Sequence, residues 1–190
     1  QVSAGRGDET AIIWENESRS TEHVTYRQLQ KEANRVANAL QAKGIRRGER
    51  VLMYVPNVPR AVSILYGAFK VGAVPVPLFS GYGTDSVVKR IESAEPTAAF
   101  VGDGYCYNGS TVSQRNTFDE ALDRTDSVET VILVNNLDDG ECGDSMYNHW
   151  EDTVAVASDS FETISLPSMA TAMVLYTSGT TGEPKGTVHT

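Results

Sequence analysis

Arg50-Val-Leu-Met-Tyr-Val-Pro56 is a short, almost wholly apolar run stopped by proline, and two more of its kind follow, Ala73-Val-Pro-Val-Pro-Leu78 and Thr97-Ala-Ala-Phe-Val101. The segments between them have helical period. From about Val58, the residues Val62, Leu65, Tyr66 and Phe69 share one side, and Gly72 supplies a left-handed end. Val87, Val88, Ile91 and Ala94 form a second such stripe, with Thr84 or Asp85 expected to cap it and Pro96 to close it. The alternation is β-α-β-α-β. Parallel strands need crossover connections, so this order predicts an α/β fold with helices packed on a largely parallel sheet.

Outward toward the N-terminus, Ile12, Ile13 and Trp14 mark a strand over 10–15, residues 16–21 a polar turn, and 23–26 the approach to a first helix. Thr25 and Gln28 have capping-box spacing; Leu29, Ala33, Val36 and Leu40 recur at helical intervals, and Gly44 is the expected left-handed stop. Toward the C-terminus the reading is a Gly-, Tyr- and Ser-rich loop over 102–114, a short helix over 117–124 and a strand over 130–134. An acidic loop over 138–145 and a helix within 146–156 follow. No internal repeat, low-complexity tract or interdomain linker interrupts the chain.

The chain has 190 residues, 40% hydrophobic and 22% charged, enough for one ordinary domain with a sizeable core. No run approaches the roughly 20 apolar residues of a membrane span, and the first residues carry no signal-peptide pattern, so a cytoplasmic location is the expectation. Cys106 and Cys142 have no second Cys or His at ligand spacing, which favours free thiols over a disulfide or metal site. The net charge of −9 argues against nucleic acid as a partner. There are five lysines: Lys31, Lys43, Lys70, Lys89 and Lys185. Such a surface fits a salt-rich cytoplasm and an ordinary acidic mesophile protein equally; melting against KCl concentration distinguishes them.

Near the C-terminus stands Tyr176-Thr-Ser-Gly-Thr-Thr-Gly-Glu-Pro-Lys-Gly186, reached from an apolar, β-prone run. Gly179, Gly182 and Gly186 permit positive φ and close backbone approach, so successive N–H groups can turn toward one anion. Ser178, Thr180 and Thr181 add hydroxyls, and Lys185 is the only Lys or Arg after Arg124. This is a phosphate loop by composition. A Walker A loop is excluded, because it needs Lys directly after its second Gly and Ser or Thr after Lys, and here Glu183 and Pro184 intervene. A dinucleotide fingerprint fails too, since no helix-forming run follows the glycines. The bland alternative is a glycine-rich hairpin that binds nothing.

These residues match, at every position, the signature loop of the adenylate-forming superfamily, which includes acyl-CoA synthetases, adenylation domains and luciferases. Ala11-Ile-Ile-Trp-Glu15, Val24-Thr-Tyr-Arg-Gln-Leu29, Ala33-Asn-Arg-Val-Ala-Asn-Ala-Leu40 and Gly67-Ala-Phe-Lys-Val-Gly-Ala73 resemble the acetyl-CoA and propionyl-CoA synthetase branch. So does the loop exit, Pro184-Lys-Gly-Thr-Val-His-Thr190. The resemblance implies a two-step ligase: a short-chain carboxylate attacks the α-phosphate of ATP, carried with Mg²⁺, to give an acyl-adenylate and pyrophosphate, and the CoA thiol then displaces AMP. It implies that Thr177, Ser178, Gly179, Thr180, Thr181, Gly182 and Lys185 hold the phosphates, with Lys185 and Thr181 in the catalytic role, and that no metal ligand lies in this chain.

It further implies that residues 1–190 are part of a large N-terminal AMP-binding domain ending just after the loop at 176–186, with the C-terminal domain absent and the isolated chain inactive. The alternatives are another adenylate-forming ligase, acting on an aryl or longer acid, and a free-standing nucleotide-binding module. One departure stands out: after the Asp103-Gly104 turn the branch brings arginine near the CoA phosphates, whereas this chain has Tyr107 and Asn108, with Arg115 a possible substitute. Tyr105 and Tyr107 are expected to pack the loop on the sheet, and His189 to be a structural residue of a following strand.

Overall fold

The structure is a computed structural model; it describes residues 1–137, 147–177 and 183–190. After a single 3-10 turn come strands β1 (Thr10–Glu15) and β2 (Thr21–Thr25), helix α1 (Tyr26–Ala42), β3 (Arg50–Tyr54), α2 (Pro59–Val71), β4 (Val74–Pro77) and α3 (Thr84–Ala94). Then follow β5 (Ala98–Gly102), β6 (Gly104–Tyr107), β7 (Ser110–Ser113), α4 (Gln114–Leu122), β8 (Thr130–Val134), β9 (Asn148–His149), α5 (Trp150–Thr153), β10 (Met173–Thr177) and β11 (Lys185–His189).

The central sheet has the order β4-β3-β5-β8-β9, and every pairing in it is parallel. Residue alternation sends its side chains to two cores. Val51, Met53, Phe100, Ile132 and Val134 meet α1, α2 and Trp150 on one face. Leu52, Tyr54, Ala99, Val101 and Leu133 meet α3 and α4 on the other. Both faces are therefore dry, which is why these strands read as continuous apolar runs.

The helix boundaries follow local chemistry. Thr25 and Gln28 close the capping box at the start of α1: the Gln28 N–H donates to the Thr25 hydroxyl, and the Thr25 N–H to the Gln28 side chain. Gly44 (φ +84°) and Gly72 (φ +73°) take the left-handed turns that end α1 and α2. Against expectation, neither Thr84 nor Asp85 caps α3; Gly83 is its N-cap, without a side-chain bond. Both side chains instead tie α3 to its neighbour, Thr84 to Glu120 at 2.7 Å and Asp85 to Arg124 at 2.8 Å.

Four stretches differ from the sequence reading. Residues 21–25 form β2, paired antiparallel to β1, rather than a simple approach to α1. The expected loop over 102–114 contains a β6–β7 hairpin whose two turn residues, Asn108 (φ +50°) and Gly109 (φ +74°), both have positive φ. That is the Asn-Gly signal for a tight hairpin, which matches the right-handed twist of its flanking strands. The helices begin and end differently too: α4 starts at Gln114, capped by Ser113 accepting the Asn116 N–H, and α5 is a single turn behind the short strand β9. The acidic loop at 138–145, with Cys142, and Met146 lie outside the described residues; Cys106 is a free, exposed thiol.

Candidate functional site

The chain passes from β3 through α2 to β4 on one side and then through α3 to β5 on the other. The strand order therefore reverses between β3 and β5, and in open α/β sheets ligands bind outside the carboxyl ends of the strands at such a point. A cleft of about 810 Å³ opens there, lined by Trp14, Pro56, Asn57, Ser80, Tyr105 and Asn136 among others. Its walls are held by named bonds. The Trp14 indole donates to the Asn57 carbonyl at 2.7 Å, drawing the β1–β2 hairpin over the end of β3. At the end of β5, the Asp103 carboxylate accepts the N–H groups of Gly104 at 2.7 Å, Asn136 at 2.9 Å and Leu137 at 3.1 Å.

The backbone at this reversal is tightly enclosed. A Cβ on Gly102 would stand 2.6 Å from Gln114 Oε1 and 2.7 Å from Pro56 Cδ, so only glycine fits. Gln114 is fully buried; its amide donates weakly to the Tyr54 carbonyl at 3.4 Å, and Oε1 has no partner among the described residues. Tyr54 is also buried, and its hydroxyl donates to the Tyr82 carbonyl at 2.6 Å. Burial pushes the Tyr54 phenol up to about 12, against a small opposing effect of a hydrogen bond with Thr117.

The phosphate-loop residues flank a second feature. β10 and β11 form an antiparallel hairpin, and β10 lies against β4, with Val174 and Tyr176 reaching the α3 core. Thr177 and Lys185, eight positions apart in sequence, are direct cross-strand partners at the loop end of this hairpin and share a face. The expected contacts Ser178, Gly179, Thr180, Thr181 and Gly182 lie outside the described residues. Gly186 serves a different purpose from the one anticipated. It sits in extended β11 opposite Tyr176, and a Cβ there would meet Val174 Cγ1 at 3.0 Å and the Tyr176 ring at 3.4 Å. The glycine makes room for a cross-strand aromatic ring. The run leading into the loop is half-buried rather than fully enclosed.

Four lysines are engaged: Lys31 with Asp159 at 3.0 Å, Lys89 with Glu183 at 3.2 Å, Lys43 with Asn148 and Lys70 with Thr163. Lys185 is exposed and enters no ion pair among the described residues. Beside it, Lys89, Arg90 and Arg124 of α3 and the end of α4 join Thr177, Glu183 and Pro184 around a cleft of about 680 Å³. Asp85 and Glu92 line the same cleft, so with Glu183 its three cations meet three carboxylates and it is mixed in charge. Sequence reasoning passed over this cluster. Its only signal was the adjacent pair Lys89-Arg90 in an otherwise lysine-poor chain.

Of the remaining candidates, Tyr105 lines the first cleft, but Tyr107 is 64% exposed and does not pack on the sheet. Asn108 occupies the hairpin turn, where a basic side chain would forfeit the left-handed preference. Arg115 lies on α4, 3.8 Å from Asp119 and over the Tyr147 ring. His189 is in β11, as expected of a structural residue. Trp150 is core, against Phe100.

The family model for AMP-binding enzymes matches the chain over residues 1–190. The chain belongs to the AMP-binding enzyme family. Within it, the chain is 34% identical over its whole length to an acetyl-coenzyme A synthetase of Streptomyces coelicolor and 35% identical to one of Halorhodospira halophila over 97% of its length. It spans 29% of the length of each of these relatives. Among solved structures it is similar to an acetoacetyl-CoA synthetase from Streptomyces lividans, with a TM-score of 0.91 and 32% identity over 99% of this chain and 29% of that one. An acyl-CoA synthetase of Brucella canis shares the fold, with a TM-score of 0.79 at 22% identity over 95% of this chain and 30% of that one. The AMP-binding fold thus accounts for the parallel sheet and the helices on both its faces. No helix among the described residues is long and apolar enough to cross a membrane.

Proposed function

We propose that this chain is the N-terminal, phosphate-gripping part of a longer, cytoplasmic AMP-forming acyl-CoA synthetase. In the proposed reaction the carboxylate oxygen of a short-chain acid attacks the α-phosphorus of ATP, and the bond to the bridging oxygen of pyrophosphate breaks. The CoA thiol then attacks the acyl carbon, and AMP leaves. The observation that carries the reading is the cross-strand pairing, at the loop end of the hairpin, of Thr177 with Lys185, which enters no ion pair among the described residues. An ammonium and a hydroxyl carried on paired residues of one hairpin are suited to negative charge building up on departing pyrophosphate. Thr177 and Lys185, with Ser178, Gly179, Thr180, Thr181 and Gly182, are the proposed phosphate contacts. Lys185 and Thr181 stabilise the leaving group.

In this reading Mg²⁺ arrives on the ATP phosphates. The cleft at the β3–β5 reversal is the proposed surface for CoA, entered past Tyr105 and Cys106.

Acetate or propionate is the proposed acid, in keeping with the acetyl-coenzyme A synthetase relatives. Acetoacetate is the second reading, favoured by the likeness to the Streptomyces lividans enzyme. The test is ATP–pyrophosphate exchange by the longer protein with acetate, propionate and acetoacetate in turn. Exchange that depends on one of these acids supports the ligase; exchange with none removes it, as would an intact mass from the source cells near the 20.6 kDa of this chain.

A further inference from the structure

Arg90 of α3 is 6% exposed, yet it enters no ion pair among the described residues, although Asp85, Glu92 and Glu183 line the same cleft. One Nη donates to the Ser86 carbonyl at 2.7 Å, and Nε has no hydrogen-bond partner among the described residues. Its Cζ lies 3.9 Å from the Tyr82 ring centroid and 5.6 Å from that of Tyr176. A buried cation is costly unless something replaces its water, and here the negative faces of two aromatic rings do so. Tyr82 is itself held in place by the Tyr54 hydroxyl on its carbonyl and by an edge contact with Phe79.

Tyr176 stands at one end of the phosphate loop and Glu183 at the other. One residue before Arg90, Lys89 Nζ reaches Glu183 Oε1 at 3.2 Å. Successive residues of one helix therefore contact both ends of the loop. We propose that α3 is the anchor that fixes where the two ends of the phosphate loop stand, with Arg90 as a positioning residue for the adenylation step. This rests on the ligase reading above. The two contacts are unequal. The Lys89–Glu183 pair is largely solvated, with side chains 43% and 76% exposed, and exposed pairs contribute little. The desolvated guanidinium between two rings carries most of the anchoring. A lysine could not reproduce it, having no planar face to stack.

Two readouts test the anchor. In the longer enzyme, Arg90→Met is expected to speed amide exchange in 173–177 and 185–189 while 98–102 stays protected; unchanged protection of the hairpin overturns the proposal. If Arg90→Met loosens 98–102 as well, Tyr176→Leu removes the ring from the hairpin side and leaves α3 intact, and it must loosen the hairpin alone. In the longer enzyme, Arg90→Met should lower kcat/KM for ATP in the exchange reaction about fivefold to tenfold, carried mainly by kcat when rates are normalised to folded protein, with only partial recovery in Arg90→Lys. A normalised kcat/KM equal to that of wild type would overturn positioning. A wild-type enzyme that exchanges with no acid removes the ligase reading, and amide exchange still decides the anchor.

Discussion

Replacing Asp103 with alanine should unlock the floor of the cleft at the β3–β5 reversal. Its carboxylate accepts three backbone N–H groups, those of Gly104, Asn136 and Leu137, and so joins the end of β5 to the end of β8. Hydrogen bonds to a charged group are worth about 1.5–3 kcal/mol each, but the residue is only half-buried, so water can reclaim part of that. A net loss of about 3 kcal/mol is expected for Asp103→Ala, which for a domain of this size lowers Tm by roughly 6–12 °C. Asp103→Asn keeps an oxygen for Gly104 and Asn136 but turns an NH₂ toward Leu137, so it should lose about 1–2 kcal/mol. Urea unfolding of the three proteins measures both. An Asp103→Ala midpoint within error of wild type would refute this account of how the cleft is held, as would an Asn variant less stable than the Ala variant.

Gly67→Ala should destabilise despite the better helix propensity of alanine. The new Cβ would stand 2.4 Å from Val36 Cγ1 and 3.0 Å from the Ala33 carbonyl, and overpacking of about 1–3 kcal/mol exceeds a propensity gain of about 1 kcal/mol. Adding Val36→Ala should recover part of the loss in thermal melts, so a Gly67→Ala protein as stable as wild type would contradict the close approach of α1 and α2. Tyr54 predicts an alkaline limit. Its folded-state pKa is raised to about 12 from 10.0, so its contribution is full below about pH 10 and is lost as pH rises toward about 12, by about 3 kcal/mol in all. In urea titrations across that range Tyr54→Phe should show a shallower decline, at a cost near neutral pH of about 1 kcal/mol for the bond to the Tyr82 carbonyl. Parallel declines would refute it.

The architecture was legible because β3, β4, β5 and β8 are buried on both faces, which leaves unbroken apolar runs, and because Gly44, Gly72 and the Thr25–Gln28 pair mark helix ends by local chemistry. Hairpins were harder. β2 has one buried residue, Val24, and β6–β7 mixes exposed polar and aromatic residues, so neither shows a clear alternation. Asn108-Gly109 was the available signal for the second. The site divides the same way. The phosphate loop is contiguous, and so its glycines, hydroxyls and lysine could be read directly. The residues that position it are not: Arg90 and Tyr82 approach Tyr176 from another helix and loop, and Gln114 and Asp103 acquire meaning only once β5 and β8 lie side by side. Gly186 shows the converse error, a glycine credited with backbone freedom that in fact accommodates a neighbouring ring.

The central claim is that the hairpin carrying Thr177 and Lys185 grips the phosphates of ATP during acid activation, and acid-dependent ATP–pyrophosphate exchange by the longer enzyme, wild type against Lys185→Ala, tests it most directly. Loss of the Lys185 ammonium should slow exchange by about a hundredfold with folding unchanged. Exchange in Lys185→Ala equal to that of wild type would contradict the account.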